Sequence, residues 1–316
     1  MKTNLIIPYY HVVSDGEVLH VKHLYMYKNS KQFKDDVDFL LKNYSPISLF
    51  DLLANVKNSF SLPKKALLLT FDDGFREIND VVAPILLEKG IPATFFINSA
   101  FIDNKKLCYQ HKASVLIENF QKTGFSSVEK KVTEILLNNN VESNDVISGL
   151  LSINYQKKDL LEQIARLIDV DFNDYLSRNE PYLTSNQIDK LIKDGFTIGA
   201  HSIDHPLYAS LPMEDQLYQT IESVKVIKER FCLDYGAFAF PHSDNNVSKR
   251  FFVELYNSGL VDVSFGTSGM LIDSFPNNLQ RFSMEKPLLP AKRILALQYT
   301  RKLFKLLTGR SKIIRK

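Results

Sequence analysis

Ala66-Leu67-Leu68-Leu69-Thr70-Phe71-Asp72-Asp73-Gly74 is the stretch on which the fold turns. The run from Ala66 to Phe71 is almost wholly apolar, the pattern of a parallel strand covered on both faces. It stops abruptly at two carboxylates and a glycine. A helix is expected to follow as far as Lys89, with Gly90 closing it. Ile91–Ile97 reads as the next strand, with Pro92 at its start, where a missing N–H is tolerated. Strand, helix, strand in that order argues for a parallel α/β architecture.

The same alternation extends outward in both directions. Upstream, Leu5–Val13 reads as a buried strand running into the turn-like Ser14-Asp15-Gly16. Ser30–Asn43 reads as a helix with Ser30 as N-cap and Phe33, Val37, Phe39, Leu40 and Leu41 on an apolar face. Downstream, residues 104–180 break the rhythm. They are rich in Lys, Glu, Asn and Leu, with helix-like runs at Val132–Leu137 and Leu160–Leu167, and read as a helical insertion between two strands. Alternation then resumes, with helices over Ser185–Lys193, Met213–Arg230 and Ser248–Asn257. The strands between and after them are Phe196–Ala200, Ala237–Phe240 and Val261–Phe265. No internal repeat interrupts this.

The 316 residues are 45% hydrophobic and 24% charged, ordinary globular values that allow a large core. Net charge is +3, but unevenly spread: residues 291–316 carry nine Lys or Arg and no acid, so the rest of the chain is mildly acidic. The N-terminal segment is no good signal peptide, and no stretch approaches the roughly 20 apolar residues that span a bilayer. Cys108 and Cys232 form neither a disulfide framework nor a CxxC site. A cytoplasmic location is the default expectation.

Two constellations carry chemistry. Asp72 and Asp73 sit where a buried strand ends, the position at which parallel barrels gather reactive groups. Adjacent carboxylates can divide labour, one binding a cation and the other taking a proton. Taken alone, Asp-Asp-Gly also reads as a solvated turn. The second is His201-Ser202-Ile203-Asp204-His205, directly after a predicted strand. Histidines four apart fall on one side of a helical turn, and two His plus one carboxylate is a common ligand set for hydrolytic zinc. His20, His23 and His111 have no motif context and read as surface or insertion residues.

TFDDG followed by HSIDH resembles the polysaccharide deacetylase family, over roughly residues 5–100 and 180–285. The resemblance implies a distorted (β/α)7 barrel spanning residues 1–290, with the insertion at 104–180 and a basic tail at 291–316. It implies Asp72 as general base, and Asp73, His201 and His205 as ligands of a divalent metal, zinc first, with cobalt, nickel or manganese also suited to the set. The family's third motif carries an Arg, then Pro and an aromatic. Here it reads Phe240-Pro241-His242, without a nearby Arg. The backbone N–H of His242 could still serve an oxyanion, and Arg281, from another strand, could supply the missing charge. The family's C-terminal histidine acid is also absent. Circularly permuted relatives place it on the first strand, where Tyr9-Tyr10-His11 matches. A core histidine is the plainer reading of His11, and His242 is the rival acid. Asp262, at another expected strand end, is a candidate for the substrate groove beside Pro241 and Arg281.

The resemblance thus implies removal of N-acetyl groups from sugars of a cell-envelope glycan or its lipid-linked precursor. The rival readings are an inactive glycan-binding relative and a hydrolase of non-sugar amides. The basic, partly apolar segment after Ala291 reads either as a helix packed on the barrel or as a peripheral contact with the inner face of a membrane. Nucleic-acid binding is not expected, because the basic charge is confined to one end and no recognition motif accompanies it.

Overall fold

The computed structural model describes residues 5–57, 59–123 and 128–316. Seven short parallel strands form the frame: β1 (Pro8–Tyr10), β2 (Leu69–Phe71), β3 (Ala93–Ile97), β4 (Thr197–Ala200), β5 (Ala237–Ala239), β6 (Val263–Gly266) and β7 (Asn278–Gln280). An eighth element, β8 (Phe282–Ser283), follows β7 after one residue. The sheet order is β7-β6-β5-β4-β3-β2-β1-β8, and every neighbouring pair is parallel.

Closure depends on the residue between the last two elements. β7 pairs with β6, whereas β8 pairs with β1. Arg281 N donates to Gly266 O (3.0 Å), and Phe282 N donates to Ile7 O (3.2 Å). One extended segment therefore changes partner at Arg281 and joins the two ends of the sheet. Counted as a single strand, it makes the (β/α)7 barrel that the sequence implied.

Strand side chains alternate as the pleat requires. Leu69, Phe71, Phe95, Ile198 and Phe238 pack with the surrounding helices in one cluster. Ile7, Leu68, Phe96, Ala239 and Phe265 belong to a second, together with Leu49, Leu52 and Leu53 of helix Leu49–Val56.

The helices follow the sequence closely. Ser30–Asn43, Ser185–Lys193 and Met213–Arg230 have the expected bounds. The first is capped by Asn29, not Ser30: Asn29 and Gln32 form a reciprocal capping box. The strands are shorter than their apolar runs. β1, for example, keeps only Pro8–Tyr10, with isolated bridges at Ile6 and Val13.

Two compact units are present. The first runs through Asp15, resumes over Tyr27–Asp103 and again over Tyr182–Lys316; it holds the barrel. The second comprises Asn104–Pro181 together with Gly16–Met26. It is helical, as expected, with Leu116, Ile117, Val132, Leu136, Leu161 and Ile164 in its interior. His20, His23 and His111 all belong to it. That Gly16–Met26 joins it was not visible in the sequence.

The basic C-terminal segment is part of the first unit. Helix Ala291–Leu307 buries Ala291, Ile294 and Leu295, and Ala291 N donates to Asp36 Oδ1 (2.8 Å). Beyond it, Lys312–Ile313 pairs with Ile272–Asp273, and Arg315 is buried. No helix among the described residues is long and apolar enough to cross a membrane.

Candidate active site

The strand ends bring the two constellations together. Asp72 follows β2, its N–H donating to Tyr10 O (2.9 Å). The chain then turns sharply: Asp73 and Gly74 have φ of 71° and 70°. Gly74 is required there twice over. Its φ is left-handed, and a Cβ would meet Ile97 Cγ2 at 2.8 Å. Leu183 N donates to Gly74 O (2.9 Å) and pins the turn from the far side of the insertion point.

The His201–His205 segment is not the helical turn its spacing suggested. Ser202 and His205 are both left-handed, with φ of 70° and 65°. Side chains enforce the bend. Ser202 Oγ accepts from His205 N (3.0 Å), Asn98 donates to His201 O, and Gln219 Oε1 accepts from Ile203 N (3.0 Å). Together with Asp73 and His242 (φ 55°), four non-glycine residues of the site lie in the region side chains avoid. Such strain persists where the surroundings over-determine it, and it clusters at functional sites.

The outcome is a tight donor set. Asp73 Oδ1 lies 3.4 Å from His201 Nε2 and 3.2 Å from His205 Nε2. All three residues are buried, and the carboxylate oxygen has no hydrogen-bond donor of its own. Ligand atoms around one tetrahedral ion at about 2.0–2.2 Å sit roughly 3.3–3.6 Å apart, close to both Asp73–imidazole distances, and all three donor atoms lie within 4.8 Å of one another. His201 Nδ1 is 2.8 Å from Ala239 O, which can only accept, so Nδ1 carries the proton and Nε2 presents its lone pair. Burial pushes the His201 pKa down to about 4, despite the pull of Asp72 and Asp73, and so favours the neutral, ligating form. Burial opposes the Asp73 carboxylate, but the neighbouring imidazoles, His205 foremost, hold its pKa well below the ordinary value. Geometry, tautomer and the orphaned oxygen all fit a divalent metal.

Asp72 is the other half of the pair and does not face the same partners. Arg281 grips it with two parallel bonds, Nη1 to Oδ1 at 2.7 Å and Nη2 to Oδ2 at 2.8 Å. Burial works against the charge, yet Arg281 holds the Asp72 pKa below its usual value. Arg281 is itself fully buried, its guanidinium over the rings of Tyr9 (4.8 Å) and Phe96 (5.3 Å). The charge absent from the third motif is thus delivered by the residue at which the barrel closes.

His11 follows β1 as Asp72 follows β2, and the register Tyr10–Phe71 continues to set the two side by side. Its Nδ1 bonds to Glu285, whose Oε1 also accepts from His11 N and Val12 N (2.6 and 2.9 Å). Burial disfavours the imidazolium, but Glu285, then Asp73 and Asp72, outweigh it and raise the His11 pKa to about 9. His242 follows buried Pro241 and lies at the surface with its ring 4.5 Å from that of His205. Asp262 is placed elsewhere. It precedes β6, at the opposite end of the barrel strands, where it accepts from Gly236 N (2.8 Å) and pairs with Lys57 (3.3 Å). Asp262 lies at the N-terminal end of this strand, expected as Val261–Phe265 and observed as Val263–Gly266, whereas the site gathers at the C-terminal ends.

Sequence reasoning did not find Glu285. The available signal was an acid just past the last strand, in the position to meet a residue at the end of β1. It also missed Asp244 and Arg315, which meet in a buried cluster behind the His242 loop.

With this geometry established, comparison places the chain. The sequence profile described as polysaccharide deacetylase matches residues 60–257, more than half of the chain, and the protein belongs to that family. None of the curated proteins matches it in sequence. Among solved structures, the Streptococcus pyogenes deacetylase PplD, in complex with acetate, superposes with a TM-score of 0.61 at 13% identity, over 94% of this chain and 98% of that one. A de-N-acetylase from Aggregatibacter actinomycetemcomitans gives 0.59 at 13% identity, over 92% and 98%. IcaB from Ammonifex degensii gives 0.58 at 14%, over 93% and 97%. At such identities the likeness is one of fold.

Proposed function

We propose that this protein is a metal-dependent hydrolase that removes N-acetyl groups from sugar residues of a cell-envelope glycan or its lipid-linked precursor. One observation carries the reading: an unpaired buried carboxylate oxygen faces two imidazole nitrogens at 3.2 and 3.4 Å, beside a second carboxylate already held by an arginine.

Asp73, His201 and His205 would hold the metal, which when bound supplies Lewis-acid polarisation and a more acidic water. The remaining roles belong to this chain's own groups. Asp72, kept ionised and oriented by Arg281, takes the proton of the attacking water. The backbone N–H of His242 helps hold the oxyanion. His11, held as imidazolium by Glu285, protonates the departing amine as the C–N bond breaks. The products are acetate and a free amino sugar. With pKa values pushed apart, Asp72 down and His11 up, base and acid coexist at neutral pH.

The Arg281–Asp72 pair also bears on the rival reading of an inactive glycan-binding relative. That reading drew on the missing arginine of the third motif, and the pair supplies an equivalent. Zinc is the first metal to try, with cobalt, nickel and manganese as alternatives. The test is acetate release from a panel of N-acetylated glycans, with and without chelator and beside Asp72→Asn. Chelator-sensitive release, lost in the variant, is expected; no metal-dependent release from any glycan would favour the binding module. Peripheral membrane contact is proposed through the last turns of helix Ala291–Leu307, where Leu303, Phe304, Leu306 and Leu307 are exposed.

A further inference from the structure

Helix Ala291–Leu307 changes character along one stripe. Ala291, Ile294 and Leu295 face inward and are buried. Continued at helical spacing, the stripe becomes Gln298, Arg301, Lys302 and Lys305. Arg301 and Lys305 are exposed and Gln298 and Lys302 half-buried, yet all four border the same concavity. With Lys286 they line a pocket of about 500 Å3 in the barrel unit. Four cations thus share one concavity, and no carboxylate lines it.

The buried cations of this unit are paired. Lys28 is paired with Asp36, Arg281 with Asp72, and Arg315 with Asp244 and Asp273. Among the described residues, Lys286, Arg301, Lys302 and Lys305 have no ion pair and no side-chain hydrogen bond. Like charges gathered around one concavity repel one another. Their field is concentrated there and favours an anion.

The pocket and the candidate active site have Tyr9 as a common neighbour. Tyr9 lines it, and the same ring stands edge-on to His11 (5.4 Å) and carries the Arg281 guanidinium at 4.8 Å. Asn245, three residues beyond His242, lines it as well. A molecule with its acetamido group at Asp72 and Asp73 could therefore extend past Tyr9 into the cationic pocket.

We propose that this pocket is a subsite for a phosphate or diphosphate ester carried by the sugar substrate, an inference that rests on the deacetylase reading above. Charge selects phosphate over a uronic carboxylate. A phosphate monoester brings about 1.5 to 2 negative charges and three strong acceptor oxygens, whereas a carboxylate would leave most of the four cations uncompensated. Arg301 offers a planar fork suited to phosphate oxygens, and the three lysines act as point charges. A phosphate that also bears a lipid would find an apolar surface nearby, because the same helix exposes Leu303, Phe304, Leu306 and Leu307.

Calorimetric titration of the full chain with inorganic pyrophosphate, at low and at physiological salt, tests the pocket independently of catalysis. Binding that weakens at least tenfold in Arg301→Gln/Lys305→Gln, but not in the remote surface control Lys31→Gln/Lys64→Gln, is expected. No binding at millimolar pyrophosphate, or equal loss in both variants, overturns the proposal. Thermal melting of both variants guards against misfolding, and if the double variant melts early, single Lys286→Gln replaces it. Acetate release then tests the link to substrate. The ratio of kcat/KM for an N-acetylhexosamine 1-phosphate to that for the free N-acetylhexosamine should fall about tenfold in Arg301→Gln/Lys305→Gln. An unchanged ratio overturns the subsite. Pyrophosphate binding without acetate release from any sugar would leave an anion pocket and sink the deacetylase reading instead. Comparing a prenyl-linked sugar phosphate with its water-soluble counterpart, and anionic with zwitterionic vesicles, separates the sources. Loss of vesicle binding with soluble phosphate binding intact would assign the pocket to membrane headgroups and overturn the substrate assignment.

Discussion

Two clusters of buried carboxylates lie in the barrel unit, and they are built on opposite principles. Behind the His242 loop, Asp244 and Asp273 are saturated. Arg315 bonds both, Asn278 Nδ2 reaches both (2.9 and 3.0 Å), and Gln280 Nε2 reaches both (2.7 and 3.2 Å). At the strand ends, Asp73 Oδ1 is buried without a donor and faces only imidazoles. A folded chain that can satisfy two carboxylates completely in one place has left another short of partners. Burying a polar atom unpaired costs free energy, and such exceptions point to a bound ion or a catalytic task. The first cluster spends its polar groups on the fold; the second keeps them for a ligand.

Removing charge should therefore act oppositely on the two. Asp73→Asn is expected to abolish uptake of zinc, read by metal analysis after dialysis, while leaving the melting temperature of the metal-free protein unchanged or raised. Asp72→Asn should lower kcat for acetate release by about 10²- to 10⁴-fold, the range for loss of a general base. Metal uptake undiminished in Asp73→Asn would break the contrast outright.

The next largest effect is expected at the saturated cluster. Arg315→Met strands two buried carboxylates and should cost about 3–5 kcal/mol in denaturant unfolding. Because Asp244 sits two residues from His242, some activity should fall with it. A loss under 1 kcal/mol would mean that the C-terminal strand contributes little to the fold.

Glu285→Gln sharpens the comparison from the side of the acid. An imidazole with a raised pKa is protonated below that value and loses its proton as pH rises through it. With Glu285 in place, the alkaline limb of kcat/KM is expected near pH 9. Without the largest raising influence, the limb should move down towards the ordinary imidazole value near 6.5. An unmoved limb in the pH profile would remove His11 as the acid. The smallest effect is reserved for Asp262→Asn. Its partner Lys57 is exposed and it stands at the far end of the strands, so stability should change by no more than about 0.5 kcal/mol, with acetate release unaltered.

The parts of this protein legible in the sequence are those whose physics is local. Ser185–Lys193 and Met213–Arg230 were bounded correctly from periodicity and flanking residues alone. Thr70–Gly74 and His201–His205 announced themselves because adjacent residues carry the chemistry and a strand precedes each. Where a local rule was pressed too far it misled. Spacing suggested a helical turn for His201–His205, but Asn98 and Gln219, from other elements, bend it into left-handed geometry. Asp262 was likewise assigned to the groove for lying at a strand end, but that end is the N-terminal one, away from the site.

By itself, then, the chain's sequence determined the strand–helix alternation, the carboxylate pair and the histidine pair, since each depends on neighbours within a few residues. Only the tertiary structure decided who partners whom. Arg281 meets Asp72 and Glu285 meets His11 because the last strand changes neighbours at Arg281 and closes the barrel, while Arg315 meets Asp244 because Lys312–Ile313 pairs with Ile272–Asp273. A charge's partner is selected by distance in space, and closure brings together residues that the sequence holds more than 200 positions apart.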